Sequence, residues 1–276
     1  MSALLQASSR ESLAEAGARL DAHVDGASAR ELQQLGDELF AVTRLIATQT
    51  SLRRLLADPA VAPESRAGLL RQVLGRDVGA PALEIATGLV SARWSSSLDL
   101  VEVMEVLARR AVLGVAEKDG SLDDVEDELF RFGRILDREP RLSTLLSDTA
   151  QPEEGRVALL DSVLGTRVSA VASQLLRQTV QLPRGRHLDI AAEELAELAA
   201  ARRQRYVARI RTAVALAPEQ EERLSASLTR LYGRPMSLQV ELDEGLLGGL
   251  VVEVGGEVID GSVAGRLAAA QRHLPS

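Results

Sequence analysis

The chain has 276 residues, 46% of them hydrophobic but only 2% aromatic, so its cores must be built from Leu, Val, Ile and Ala, a composition suited to packed helices. A formal charge of −8 argues against a nucleic-acid coat or a polybasic membrane binder, and the absence of cysteine excludes disulfides, thiolate zinc sites and thiol nucleophiles. No apolar run nears the ~20 residues that span a bilayer, and the opening MSALLQASSRESLAE has no basic segment before its short apolar run, so a soluble intracellular protein is expected.

In chain order, the stripe Leu13, Gly17, Leu20 and Val24 predicts a first helix. Leu32, Leu35, Leu39, Val42 and Ile46 then predict a second, Asp58-Pro59 breaks the chain, and a short helix follows that ends at Gly75. Further helices are predicted over Ala80–Ala92 and from Leu98 to Lys118. The Leu98–Lys118 segment is apolar on nearly every face, so it must be buried on more than one side.

The pattern then repeats. Leu32–Gly75 aligns without a gap on Leu122–Gly165 at an offset of 90 residues, with 18 identities in 44 positions. "DELF" occurs in both, at Asp37–Phe40 and Asp127–Phe130, and Leu98 meets Leu188 in the same register. Such self-similarity marks a duplicated helical unit. The expected organisation is a first bundle over 1–97, a second over 98–205 that shares the Leu98–Lys118 helix, and a different domain over 206–276.

That last domain reads as α+β. Tyr206–Leu216 alternates as a strand, with Ile210, Thr212 and Val214 on one face. Pro218 starts a helix that runs to Gly233, two or three short strands follow, and Val263–His273 closes the chain as a helix. The fold class is therefore mainly α, two tandem helical bundles followed by a small β-α-β-β-α domain.

Its glycines match neither a dinucleotide fingerprint nor a P-loop. Gly255-Gly256 reads as a tight hairpin, Gly248-Gly249 as a bulge or close packing, and Asp260-Gly261-Ser262 as a turn in which Ser262 can cap the last helix. His23, His187 and His273 lack ligand spacing. The acidic run Asp123–Glu128 reads as the wet face of a helix. Arg202, Arg203, Arg205, Arg209 and Arg211 form the densest basic cluster, either a solvated helix end or a contact for an acidic protein partner. Trp94 reads as a partly buried anchor or an interface residue.

The string formed by Leu238, Val240, Asp243, Gly248, Gly249, Val254, Gly255, Val258, Ile259, Asp260, Gly261, Ser262, Val263, Gly265, Arg266 and Leu267 resembles the signature of the delta subunit family of F-type ATP synthases, whose mitochondrial counterpart confers oligomycin sensitivity. The resemblance implies a non-catalytic stator of the peripheral stalk, without cofactor, metal or nucleic acid. It further implies a place at the cytoplasmic face of the bacterial plasma membrane without insertion into it. In such a protein the helical part receives N-terminal helices of alpha subunits, and the C-terminal domain meets the b-type stalk.

The candidate groove residues are Leu13, Leu20, Leu83, Ala86, Leu89 and Val90 in the first copy, and Leu175, Leu176 and Thr179 in the second, ordinary core packing being the alternative for each. The candidate stalk contacts are Arg202, Arg205 and Arg209, taken from the charge pattern, together with Leu246 and Leu247. The duplication departs from the family: residues 98–276 alone would make a complete member, or else material was inserted after an original first helix. Which copy holds the groove is left open by the sequence. Two other readings are a helical-repeat adaptor, which leaves the C-terminal string unaccounted for, and a small-ligand or nucleotide enzyme, for which no base, nucleophile or phosphate motif is present.

Overall fold

The computed structural model describes residues 6–75, 77–204, 207–232, 236–243, 245–254 and 257–264, with twelve helices and four strands among them. The chain divides into two compact units, Met1–Ala199 and Ala200–Ser276.

The helical unit contains α1 (Ala7–Gly26), α2 (Ala29–Thr48), α3 (Thr50–Ala57), α4 (Pro63–Leu74), α5 (Ala80–Ser91), α6 (Ser97–Asp119), α7 (Leu122–Arg138), α8 (Pro140–Ser147), α9 (Glu153–Leu164), α10 (Ala170–Gln181) and most of α11 (Leu188–Gln204). Local chemistry sets these boundaries. Ser28 and Glu31 form a reciprocal capping box at the start of α2. Gly75 and Gly165 end α4 and α9 with φ of +56° in both, a conformation a side chain would disfavour.

The 90-residue offset survives at the level of single hydrogen bonds. Asp58 and Asp148 accept from the amides of Ala60 and Ala150, each at 2.9 Å. The glutamates of the two DELF segments, Glu38 and Glu128, accept from the amides of Gly79 and Ser169, again each at 2.9 Å, and so cap α5 and α10 from a neighbouring helix. Arg66 and Arg156 are buried and spend their guanidinium groups on carbonyls at the ends of α5 and α10.

The same offset carries α1 onto α6 and α6 onto α11. At this offset α6 is the counterpart of both α1 and α11, and the two repeats lie within one compact unit rather than separate ones. Helix α6 packs against α1, α2, α3 and α5 as well as α7 and α10, its side chains are buried nearly all round, and one apolar core runs through the whole unit.

The closest approach is between α2 and α6, where a Cβ built on Gly36 would stand 2.4 Å from Val112 Cγ2. Valine is stiff at χ1 and cannot swing clear. Gly36→Ala is therefore expected to destabilise the unit by about 1–3 kcal/mol through overpacking, although alanine is the better helix former by ~1 kcal/mol. Chemical denaturation followed by Trp94 fluorescence reads this, and a stabilised variant would refute it.

In the C-terminal unit the sheet order is β2-β1-β3-β4, with β1 (Val207–Thr212) parallel to β2 (Ser237–Leu242) and antiparallel to β3 (Leu250–Val254), which pairs antiparallel with β4 (Glu257–Asp260). The parallel pair is joined through α12 (Pro218–Tyr232), as a crossover requires. Ala208, Ile210, Leu228, Met236, Val252 and Val254 form its core. The alternation expected to reach Val214 stops at Thr212, the last residue paired with β2, and Val214 is exposed.

Gly248-Gly249 is a close approach. Both glycines have positive φ, and a Cβ on Gly249 would lie 2.5 Å from the Gly261 carbonyl oxygen. The Asp260-Gly261-Ser262 turn is fixed by the Ser262 amide, which donates to Asp260 Oδ1 at 2.8 Å, while the Val263 amide donates to the Gly248 carbonyl at 2.9 Å. The Ser262 hydroxyl and amide together hold the Asp260 carboxyl below its usual range. Val254 stands opposite Glu257, leaving two residues for the connection. Those residues, Gly255 and Gly256, lie outside the described set, as do Gly265 and most of the closing helix.

Candidate functional site

A groove of about 440 Å³ opens between α1 and α5. Ser12, Glu15, Ala16 and Arg19 line it from α1, at i, i+3, i+4 and i+7, so they share one helical face. Glu84, Ile85, Gly88 and Ser91 line the α5 side, and Arg71 of α4 reaches the rim. Glu15 and Arg19 form an exposed ion pair at 2.5 Å.

The groove walls are held by polar staples. Ser9 donates to Asp99 Oδ2 at 2.7 Å, and Ser12 donates to the Arg93 carbonyl at 3.0 Å, pinning α1 to the first turn of α6 and to the α5–α6 connection. Trp94 in that connection is buried and donates its indole N–H to the Leu89 carbonyl at 2.8 Å. It acts as an anchor.

The nine groove candidates fall mostly beneath this surface. Leu20, Ala86, Leu89, Val90, Leu175, Leu176 and Thr179 are buried in the core, and Leu13 and Leu83 are half-buried against it. Of these, Leu89 alone lines the groove. The physical reason is helical phase: the most apolar stripe of α1 points inward, and the groove face is the next stripe round, which is small and charged. Ala16, Gly88, Glu15 and Arg19, which line this cavity, are not among the nine candidates. The available signal was a pair of small residues flanked by an i, i+4 ion pair.

Shifted by 90 residues, Glu15 and Arg19 become Glu105 and Arg109, and their surroundings invert. Glu105 and Arg109 are buried and bonded at 2.5 Å. Arg186 reaches Glu105 at 2.6 Å and Glu194 at 3.3 Å, Arg184 bonds Glu105, and Arg184 also reaches Glu102 at 2.5 Å. Burial pushes the Glu105 carboxyl up, but Arg109, Arg186 and Arg184 together hold it below its ordinary value.

In the C-terminal unit, Arg202 is buried rather than solvated, so it does not extend the exposed arginine face. Arg209 and Arg211 lie on the exposed side of β1, Arg211 pairing with Asp243 at 3.2 Å, and Arg205 lies outside the described residues. Leu246 is half-buried while Leu247 is 81% exposed on the loop before β3.

A sequence profile described as "ATP synthase delta (OSCP) subunit" matches residues 108–274, from within α6 to the C-terminal unit. The chain belongs to this family. The chain is 48% identical to an "ATP synthase subunit delta" of Streptomyces avermitilis, over 97% of this chain and 98% of the relative. A namesake from Streptomyces coelicolor is 45% identical over 99% of both chains. An "ATP synthase subunit b-delta" of a Mycobacterium species is 45% identical over 98% of this chain, which spans only 61% of that longer relative. A chain of the Toxoplasma gondii mitochondrial ATP synthase hexamer matches at 19% identity with a TM-score of 0.34, over 61% of this chain and 96% of that one. The Streptomyces relatives are matched almost end to end, so the long form of delta with its duplicated helical region is shared with them.

Proposed function

We propose that this delta chain, a non-catalytic stator subunit of an F-type ATP synthase, joins the catalytic head to the peripheral stalk. Its helical unit takes an N-terminal helix of an alpha subunit, and its C-terminal unit takes the end of a b-type stalk chain. Proton-driven rotation is then resisted at this joint and reaches the nucleotide sites as torque. The observation that carries the receptor role is an open groove on a delta-family helical unit, floored by small and apolar residues and rimmed with both charges. The fusion named b-delta supports a link to a b chain. Arg209 and Leu247, both exposed, are the described residues proposed to meet it. Among the described residues no helix is long and apolar enough to cross a membrane. The proposed location is the cytoplasmic face of the bacterial plasma membrane, reached through partners.

A labelled peptide comprising the N-terminal helix of the cognate alpha subunit is expected to bind the full chain saturably, with Kd in the range of about 1 μM or tighter. Fluorescence anisotropy measures it. Absence of saturable binding would remove the receptor role and leave the adaptor reading for the helical unit.

A further inference from the structure

We propose that the two copies are not equivalent receptors: the groove of the second copy, between α6 and α10, is filled in cis by α2, and the α1–α5 groove of the first copy is the one that takes the partner helix. The inference rests on the receptor reading above and names where it operates.

Three observations carry it. First, α2 lies on both walls of the second groove. Gly36 brings it onto Val112 of α6, Asp37 accepts from Gln174 of α10 at 2.7 Å, and Arg44 donates to Gln181 of α10 at 2.6 Å. Shifted by 90 residues, Gln174, Gln178 and Gln181 are Glu84, Gly88 and Ser91, the α5 face of the open groove. In copy two this surface is bonded to α2 through Gln174 and Gln181, while Gln174, Gln178 and Gln181 stay half-buried beside a cavity of about 610 Å³.

Second, identical residues behave differently according to that contact. Phe40 of α2 is 6% exposed and Phe130, its counterpart on α7, is 60% exposed. Arg44 reaches across to α9 and α10, pairing with Glu153 at 3.2 Å, whereas its counterpart Arg134 turns back to Asp137 of its own helix. Third, the rim pair is sealed in copy two, where Arg184 and Arg186 close over Glu105, and exposed in copy one.

The cis occupant also describes the ligand. It is an amphipathic helix whose apolar anchor corresponds to Phe40. Glu84 stands where Gln174 faces Asp37, so the incoming helix presents a basic residue there, with an acidic one for Arg71 or Arg19. The family profile matches the second copy, so similarity alone would direct the partner to the groove that α2 already fills.

The test is isothermal titration of the full chain with the N-terminal peptide of the cognate alpha subunit. One peptide per chain is expected. Gly88→Leu is aimed at the open groove, where a Cβ at this position would meet only the flexible tip of Arg19, at 2.8 Å. It should weaken binding roughly tenfold or more, and the exposed rim change Glu84→Lys should also weaken it. The second-copy counterparts Gln178→Leu and Gln174→Lys should leave binding within about twofold. Melting curves check that all four variants fold. Two peptides per chain, or loss with Gln178→Leu while Gly88→Leu binds normally, would overturn the inference and leave the receptor reading standing. No binding by the unaltered chain would remove both.

Discussion

Gly249→Ala is expected to unfold most of the C-terminal unit while the helical unit stays folded. The new Cβ would sit 2.5 Å from the Gly261 carbonyl oxygen and 2.9 Å from Ser262 Cα, backbone atoms that no rotamer change can move. The φ of +81° adds the strain of a conformation that side chains rarely adopt. Together these cost roughly 3–5 kcal/mol, comparable with the whole stability of a unit this small. The two units carry separate reporters: Trp94 is the single tryptophan, and both tyrosines, Tyr206 and Tyr232, lie in the C-terminal unit. In urea the tyrosine transition should be lost and the Trp94 transition retained. A control is Gly155→Ala in α9, whose Cβ would meet nothing within 4 Å and which should gain up to ~1 kcal/mol. A full tyrosine transition in Gly249→Ala would mean that the signature glycines are not the lock described above.

The second large effect concerns the buried charges. Glu105→Gln removes the anion shared by Arg109, Arg184 and Arg186, and a buried pair broken on one side costs about 3–5 kcal/mol. The Trp94 melting transition should fall by about 10 °C. The counterpart Glu15→Gln breaks only an exposed pair and should cost less than ~0.5 kcal/mol. Because the Glu105 carboxyl titrates below its ordinary value of 4.5 in the folded chain, its stabilisation is complete above that value. It is lost as pH falls through the folded pKa. The unaltered chain should therefore lose helical-unit stability below about pH 4.5 more steeply than Glu105→Gln does. Equal slopes would show that the cluster does not link folding to acid.

Much of the fold was legible because it is written twice. The repeated stripes located the helices, and the all-apolar segment from Leu98 pointed to a helix that is indeed buried nearly all round. The groove proposed to take the partner was harder to read for two reasons. Apolar periodicity reports the face a helix buries in its own core, and so it led to Leu20, Leu89 and Leu176. The groove lies one stripe away, on residues such as Ala16 and Gly88 that carry little hydrophobic signal. The second reason is context. Phe40 and Phe130 sit in the same tetrapeptide, yet one is covered and the other is not, because only the first copy has a neighbour ahead of it. Local sequence cannot encode that difference. Arg202 is a similar case, a charge in an arginine-rich segment that burial sets apart from Arg209.

The α2 contact has the logic of a chain of identical links. Each copy offers a knob, the α2 or α7 face, and a socket, the α1–α5 or α6–α10 groove. Unlike a twofold pair, which consumes both surfaces at once, a head-to-tail series always leaves one socket at its start and one knob at its end. On the reading proposed above, duplicating the bundle lengthens the series without changing its valence: the groove at the α1 end and the ridge bearing Phe130 and Ile135 on α7 both still face solvent.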